Sequence, residues 1–266
     1  MNRIENAMER LQERQEKALI TYMTAGLPDM EGTKKLIKAQ EAAGLDVLEL
    51  GIPFSDPVAD GPVIQDASYR SILKGTNVKG VLKAVKEVRD EGAQIPIVFM
   101  MYYNTILHYG VEAFADACAK SGVDGLIIPD LPLEEQGELK AALDGTDGAP
   151  ILIQLVSPVS KKRIGRILEH ARGFVYCVSS MGVTGQEASF HKNVVNYLRE
   201  VKEASRIPVM MGFGIRTAQD VEPMRDLIDG AIVGSHFIRL MEACGYSPEG
   251  AAGYVETFKK ELNGSR

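Results

Sequence analysis

The stretch Ala18–Leu50, ALITYMTAGLPDMEGTKKLIKAQEAAGLDVLEL, contains two short apolar runs separated by a longer segment with helical periodicity. The runs, Ala18–Thr24 and Asp46–Leu50, are rich in apolar and β-branched residues and therefore predict buried strands. The segment between them, Thr33–Ala43, predicts an amphipathic helix that ends before Gly44. This order predicts two parallel strands joined by a helix.

The same alternation continues along the rest of the chain. Eight strand–helix units in 266 residues predict the α/β class and a closed (β/α)8 barrel, or TIM barrel, rather than an open doubly wound sheet. The six further predicted strands are Ile95–Met101, Val123–Ile128, Ile151–Val156, Phe174–Ser179, Ile207–Gly212 and Ala231–Gly234. The further helical patterns are Val78–Glu91, Val111–Ser121, Lys161–Ala171 and Thr217–Ile228, with Gly92, Gly122 and Gly173 in capping positions.

Two further helices are predicted outside the alternating units. Arg3–Arg14 forms an extra helix before the first strand, and a terminal helix runs from about Pro248 to Leu262. No linker, low-complexity tract or block of charge interrupts the chain. We therefore expect residues 1–266 to form a single TIM-barrel domain.

Composition excludes several classes of function. The net charge of -6, the absence of tryptophan and the lack of a basic run all disfavour nucleic-acid binding. No apolar stretch is long enough to span a membrane, and the polar segment before residue 18 does not resemble a signal peptide. Three widely spaced cysteines, Cys118, Cys177 and Cys244, predict neither a disulfide framework nor a zinc cluster. These features predict a cytoplasmic protein.

Glycine-containing loops follow three of the last predicted strands. They are GVTG at Gly182–Gly185, GFGIRT at Gly212–Thr217 and VGSHF at Val233–Phe237. In this fold the loops after strands seven and eight often bind phosphate, because glycines and helix N-termini present backbone N–H groups to an anion. A single such loop would be explained as an ordinary turn, but three in neighbouring positions predict a phosphate site.

Glu49 is the first candidate for acid–base chemistry. It lies between Leu48 and Leu50 at the end of the second predicted strand, so the alternation of side chains places it opposite the two leucines. If the leucines pack against the helices, Glu49 points into the barrel mouth, where burial raises the pKa of a carboxyl group. The alternative is a structural carboxylate paired with a cation, but the predicted strands offer no obvious lysine or arginine.

The loop after this strand, GIPFSDPVADGP at Gly51–Pro62, carries Asp56 and Asp60 between prolines. Taken alone, Asp60 is equally well explained as a catalytic carboxylate or as a cap for a helix that starts near Gly61. Tyr176, in the sixth predicted strand, either places its hydroxyl beside Glu49 or is an ordinary core tyrosine.

Other chemistries fit the sequence poorly. No lysine lies at the C-terminal end of a predicted strand, so a Schiff-base aldolase has no nucleophile. The histidines lack metal-ligand spacing, and each is interpreted as a surface or capping residue: His108, His170, His191 and His236. What remains is acid–base catalysis on a phosphorylated substrate without a metal or cofactor in this chain.

The same residues resemble the tryptophan synthase α-subunit family over almost the whole chain. The most specific match is LELGIPFSDPVADGP at Leu48–Pro62, and the three glycine-containing loops support it. Further matches are TYMTAGLPD at Thr21–Asp29, MMYYNTILHYGVEAFA at Met100–Ala115 and GVDGLIIPDLP at Gly122–Pro132. The resemblance implies a carbon–carbon lyase of tryptophan biosynthesis, which cleaves indole-3-glycerol phosphate into indole and glyceraldehyde 3-phosphate.

The resemblance also implies roles for individual residues. Glu49 is the catalytic acid and base, Asp60 binds the indole nitrogen, and Tyr176 positions the substrate. The implied phosphate-binding residues are Gly185, Gly214, Gly234 and Ser235, and those enclosing the indole ring are Tyr22, Met101, Ile128 and Phe213.

The family resemblance further implies a partner. It predicts an α2β2 complex with a β subunit that uses pyridoxal phosphate. The β subunit is expected to dock on three regions, which are the loop after strand two, the region around Asn104 and the loop Pro129–Glu135. Many members carry a basic residue where this chain has Ser180-Met181, so we expect looser closure of that loop. The alternatives are a standalone lyase that releases free indole and, from another class, a catalytically silent phosphate-binding regulator.

Overall fold

A computed structural model describes residues 2–178, 187–212 and 214–264 of the protein. Its strands all run parallel and pair in the order β5-β4-β3-β2-β1-β9-β8-β7-β6. They are β1 (Ala18–Thr24), β2 (Val47–Gly51), β3 (Ile97–Met100), β4 (Gly125–Ile127), β5 (Ile151–Leu152), β6 (Gln154–Val156), β7 (Val175–Cys177), β8 (Val209–Met211) and β9 (Gly230–Val233).

The two ends of this strand order are adjacent in the chain. Only Ile153 separates β5 from β6, and β5 pairs with β4 whereas β6 pairs with β7. The single strand predicted over Ile151–Val156 is therefore present as two short strands, β5 and β6, with a break at Ile153. The sheet closes at this position, and the eight predicted strands form the expected TIM barrel.

Helices alternate with the strands and cover the barrel. The α-helices are α1 (Arg3–Arg14), α2 (Met30–Ala42), α3 (Pro62–Leu73), α4 (Val78–Asp90), α5 (Tyr103–Tyr109), α6 (Val111–Ser121), α7 (Gly137–Asp144), α8 (Ile164–Leu168), α9 (Glu187–Ala204), α10 (Ser235–Ala243) and α11 (Pro248–Asn263). Short 3-10 helices occupy Leu133–Glu135, Pro158–Arg163 and Ala218–Leu227. The extra helix Arg3–Arg14 and the terminal helix are thus confirmed.

Two predicted helices differ from the structure. The pattern Lys161–Ala171 becomes a 3-10 turn followed by the short helix α8, which ends at Leu168, so Gly173 lies beyond the position of a helix cap. The pattern Thr217–Ile228 becomes the 3-10 helix Ala218–Leu227. Pro223 lies inside this segment and lacks the N–H group that a regular α-helix requires there.

The core has two layers, which follow from strand alternation. Outward-facing residues such as Leu48 and Leu50 pack against the helices. Inward-facing residues such as Val47 pack with Ile4 and Leu11 of α1, so this helix closes the N-terminal end of the barrel. The opposite end, where the strands terminate, is left open for a site. Within the described ranges, no helix is long and apolar enough to cross a membrane.

Candidate active site

A cavity of about 900 Å³ opens at the C-terminal ends of the strands. This volume is in the range of small-molecule sites. Strand ends such as Met100 and Val156 form part of its wall, as do residues that directly follow strands. The sequence-predicted residues that line it are Tyr22, Glu49, Asp60, Ile128, Tyr176, Gly214, Gly234 and Ser235. Most of the predicted site is therefore brought together in one place.

Glu49 lies at the floor of this cavity. Leu48 and Leu50 belong to the outer core layer, as expected, and the carboxyl group of Glu49 faces inward. The side chain is only 2% exposed, and its Oε2 atom has no hydrogen-bond partner among the described residues. Burial, followed by the negative charge of Asp60, raises the pKa of Glu49 to about 8. Glu49 therefore carries a proton at neutral pH and can act as an acid.

Asp60 faces the cavity from the loop after β2. It is not a helix cap: α3 starts at Pro62 with Gly61 in the cap position, and no side chain caps it. The Asp60 carboxylate instead accepts a hydrogen bond of 2.9 Å from the Tyr102 hydroxyl. Partial burial raises the pKa of Asp60 to about 6, against the opposing effect of this hydrogen bond. Asp60 is therefore ionised at neutral pH while Glu49 is not.

Tyr102 is a residue that the sequence reasoning missed. Its hydroxyl donates to Asp60 and accepts a 2.9 Å hydrogen bond from the Ala59 N–H, and its ring stacks on Phe54 at 5.1 Å. It thus fixes the loop after β2 to the end of β3 at three points. The sequence offered only a weak signal, an aromatic residue directly after a predicted strand.

Tyr176 lies beside Glu49, which agrees with the first of the two interpretations of this residue and not with an ordinary core tyrosine. The Tyr176 hydroxyl lowers the pKa of Glu49, against the effect of burial, and burial and the charge of Glu49 in turn raise the pKa of Tyr176. Gly212 provides the space for this ring, because a Cβ atom at Gly212 would approach the Tyr176 hydroxyl to 2.6 Å. A larger residue at position 212 would therefore displace the phenol.

The end of the cavity formed by the loops after β8 and β9 carries the predicted phosphate-binding residues. Gly214 adopts a left-handed backbone conformation with φ of +65°, which suits glycine, and it is exposed. Gly234 precedes α10, and Ser235 is the first residue of that helix, so its backbone N–H group points out of the helix N-terminus. Gly185 and the rest of Gly182–Gly185 lie outside the described residues, as do Ser180 and Met181.

The residues implied to enclose the indole ring lie in different parts of the structure. Tyr22 and Ile128 line the cavity, but Met101 is fully buried in the outer core layer. Met100, one residue earlier, occupies the cavity wall. Met101 faces away from the cavity because adjacent residues at a strand end face opposite sides of the sheet, so the structure does not support the implied contact of Met101 with the indole ring. Phe213 lies outside the described residues.

In the part of the chain that the structure describes, no group of three or more histidine, cysteine, aspartate or glutamate residues could hold a metal ion. The cavity brings together a protonated carboxyl, an ionised carboxylate and a phenol, and the N-terminus of α10 borders it. The fold and this cavity define a TIM barrel with two carboxyl groups of different pKa at the C-terminal ends of its strands.

Comparison with known proteins identifies the family. The family model described as tryptophan synthase alpha chain matches residues 8–265. A relative from Lachnospira eligens, named tryptophan synthase alpha chain, is 63% identical over 99% of this chain and 100% of its own length. One with the same name from Alkaliphilus metalliredigens is 44% identical over 98% of this chain and 97% of its own length. The chain belongs to the tryptophan synthase alpha chain family.

Solved structures agree with this assignment. The alpha subunit of tryptophan synthase from Legionella pneumophila superposes with a TM-score of 0.87 at 32% identity, covering 98% of both chains. A chain of tryptophan synthase from M. tuberculosis gives a TM-score of 0.86 at 30% identity, covering 98% of this chain and 99% of that one. The predicted TIM-barrel fold is therefore confirmed by structural neighbours as well as by the closed sheet.

Proposed function

We propose that Glu49 and Asp60 carry out the alpha reaction of tryptophan synthase in this chain. This reaction cleaves indole-3-glycerol phosphate into indole and glyceraldehyde 3-phosphate, a step of tryptophan biosynthesis, and it is the activity of the family to which the chain belongs. The observation that carries the proposal is a buried, protonated Glu49 facing the same cavity as an ionised Asp60.

The two carboxyl groups match the two demands of the reaction. Glu49 donates its proton to C3 of the indole ring, which makes the ring an electron sink, and Asp60 stabilises the positive charge that develops at the indole nitrogen. The Glu49 carboxylate then removes the proton from the glyceryl hydroxyl. The carbon–carbon bond breaks, its electrons return to the indole ring, and the hydroxyl carbon becomes the aldehyde. Glu49 ends the cycle protonated again.

Tyr176 and the glycine loops position the substrate for these proton transfers. Tyr176 lines the same cavity as Glu49 and positions the substrate beside it. Gly214, Gly234 and Ser235 lie at one end of the cavity, where they hold the phosphate together with Gly185, whereas Tyr22 and Ile128 enclose the indole ring with Phe213. The acid, the base and the phosphate site come from this chain alone, so the proposed reaction uses no metal or cofactor in it.

The partner we propose is a β subunit that uses pyridoxal phosphate, in an α2β2 complex. Three large apolar side chains are exposed at the catalytic end of the barrel: Val58 after β2, Leu107 in α5 and Val159 after β6, with exposed fractions of 83%, 50% and 85%. Asp56 in the same loop as Val58 is also exposed. Exposed apolar side chains in segments that follow the strands suit contact with a partner that receives an apolar product such as indole directly.

We further propose that the chain is a single domain and works in the cytoplasm. The strands form one sheet, and the outer hydrophobic cluster includes residues from strands and helices along the described chain, from Leu19 to Leu262. The cysteines are free thiols, and Cys118 and Cys177 are buried, as suits a reducing compartment. Fractionation of cells with an antibody to the chain tests the location.

The activity is tested by incubating the pure protein with indole-3-glycerol phosphate and measuring indole and triose phosphate. Glu49→Gln preserves shape but removes the titrating proton, so turnover falls by roughly 10²–10⁴-fold with little change in substrate affinity. Asp60→Asn also slows the chemical step. The matched control is Asp56→Asn, in the same loop but exposed, which leaves the uncoupled reaction near the wild-type rate. Near-normal turnover of Glu49→Gln, or equal effects of the two aspartate variants, contradicts the proposal.

A further inference from the structure

Two arginines and a histidine that the sequence analysis did not assign to the site also border the cavity. Arg216, His236 and Arg239 all line it. They lie next to the proposed phosphate-binding loops: Arg216 follows Gly214 by two residues, and His236 directly follows Ser235. The sequence reasoning had interpreted His236 as a surface or capping residue because it is isolated in the sequence.

Packing fixes the position of His236. It is the second residue of α10 and is half-buried, with its ring centroid 5.8 Å from that of Tyr254 in α11. The Tyr254 hydroxyl in turn donates a 2.7 Å hydrogen bond to the Arg216 carbonyl oxygen. The imidazole and the Arg216 segment are therefore held against the same tyrosine, and both border the cavity.

Positive charges outnumber negative ones among the groups that act on His236. Arg216 and Arg239 are positive, and Asp220 is the one carboxylate among the charged groups that act on it in the described structure. Asp220 is also engaged by Arg216, at 3.6 Å. Burial, followed by the charge of Arg216, lowers the pKa of His236, and Arg239 acts in the same direction. Burial and the two arginine charges thus disfavour the protonated form of His236.

We propose that His236 binds the phosphate of the substrate together with Arg239 and takes up a proton from solvent when the phosphate dianion binds. The inference rests on the proposed function and deepens it, since it names the groups that select a dianionic substrate. A dianion beside the imidazole cancels the repulsion from Arg216 and Arg239 and favours the imidazolium form, which donates a charge-assisted hydrogen bond.

Proton uptake is measured directly by NMR on the wild-type chain. The chemical shifts of the histidine side chains are followed against pH, and His236 is assigned from the spectrum of His236→Gln. We expect saturating glycerol 3-phosphate to raise the pKa of His236 by about one unit or more, whereas neutral glycerol leaves it unchanged. Glycerol 3-phosphate that fails to bind, or that binds while the pKa of His236 stays constant, overturns the inference.

Kinetics with indole-3-glycerol phosphate provide the second test. His236→Gln raises KM by about 3- to 10-fold at pH 6.5 with little change in kcat, and the ratio of variant to wild-type KM declines toward one at pH 8.5. The matched control is His170→Gln, an exposed histidine away from the cavity, which matches the wild type at both pH values. The substrate phosphate titrates equally in both assays, so the ratio of variant to wild-type KM is independent of its ionisation.

The two tests separate this inference from the proposed function. A wild-type chain that cleaves indole-3-glycerol phosphate, with a KM ratio of one at every pH, overturns the role of His236 and leaves the function intact. A wild-type chain that does not cleave it, but whose His236 gains a proton with glycerol 3-phosphate, overturns the function and supports the phosphate site.

Discussion

Glu49 shows how one residue acquires its chemistry from its surroundings. An exposed glutamate is ionised at neutral pH, whereas burial at 2% exposure and the nearby charge of Asp60 raise the pKa of Glu49 to about 8. The same effect has a cost for folding. The folded state binds a proton that the unfolded state has released, so raising the pH from the unfolded pKa toward 8 destabilises the folded protein.

This linkage predicts the pH dependence of stability. Below about pH 4.5 both states keep the proton, and between pH 5 and 8 the free energy of unfolding of the wild type falls by up to about 1.4 kcal/mol per pH unit because of Glu49. Glu49→Gln removes this contribution, so the variant gains stability relative to the wild type as the pH rises. Urea unfolding at pH 5, 6.5 and 8 measures the difference.

The matched control for this experiment is Glu13→Gln, which removes an exposed carboxylate on α1. If the difference between Glu49→Gln and the wild type is the same at all three pH values, Glu49 is not protonated in the folded state, and its assignment as an acid fails.

At the scale of elements, the loop after β2 is ordered by its neighbour rather than by its own sequence. Prolines stiffen it, but Tyr102 at the end of β3 supplies the contacts that hold Asp60 in place. The parallel sheet brings these segments together, since β2 pairs directly with β3. Asp60 therefore depends on a residue 42 positions away.

Tyr102→Phe tests this dependence. The variant keeps the ring stacked on Phe54 but loses both hydrogen bonds of the hydroxyl, so kcat falls roughly 10-fold. The lost hydrogen bond lowered the pKa of Asp60, and the acidic limb of the pH–rate profile therefore moves to higher pH. The control is Tyr103→Phe, whose hydroxyl donates to exposed Glu138. A pH profile identical to the wild type excludes a positioning role for Tyr102.

A second element-scale contact fixes helix α1 to the closed end of the barrel. Asp124 accepts hydrogen bonds from Arg3 of α1 at 2.9 Å, from Arg89 of α4 at 2.7 Å and from the Ile97 N–H of β3 at 2.8 Å. The side chains of Asp124 and Arg89 are only 3% and 7% exposed. One carboxylate thus joins two helices and a strand far from the cavity.

Asp124→Asn should therefore destabilise the fold without changing the chemistry. The substitution leaves the buried Arg89 charge without its counter-ion, and we expect a loss of about 3 kcal/mol in the free energy of unfolding, measured in urea. Asp116→Asn is the control, because its partner Lys120 is 74% exposed and the pair contributes little. A loss of less than about 0.5 kcal/mol for Asp124→Asn contradicts a stabilising role.

At the scale of the whole molecule, the two ends of the barrel have different roles. Helix α1 closes one end with buried apolar side chains, and the other end opens into the cavity. The packed residues at the closed end stabilise the barrel, whereas the proposed catalytic residues lie at the open end, as is usual for this fold. A partner that docks at the open end contacts the loop carrying Asp60, and it can therefore change activity.

The prediction at this scale is that a β subunit stimulates cleavage. Titrating the cognate β subunit while following indole-3-glycerol phosphate cleavage should raise turnover on the order of 5- to 150-fold, the usual range of coupling between sites. Val58→Ser should weaken complex formation on size exclusion while leaving the uncoupled rate unchanged. Absence of a complex, with unchanged turnover at saturating β, favours the standalone lyase.

The sequence by itself determined the periodic features of this protein. Alternation within the strands predicted the inward orientation of Glu49, and the order of strands and helices predicted the barrel and the end at which the site lies. These features are local, because the spacing of apolar residues depends only on the geometry of a strand or helix. The family resemblance implied Met101 at the indole ring, whereas the structure places Met100 at the cavity wall and Met101 in the outer core layer.

Tertiary structure decided the interactions between residues that are distant in sequence. Closure of the sheet at Ile153 and the contact of Tyr102 with Asp60 depend on which segments meet in three dimensions. The pKa values of Glu49 and Asp60 depend in the same way on burial and on neighbouring charge. Electrostatic and packing energies are set by distance in space, and a single sequence records only distance along the chain.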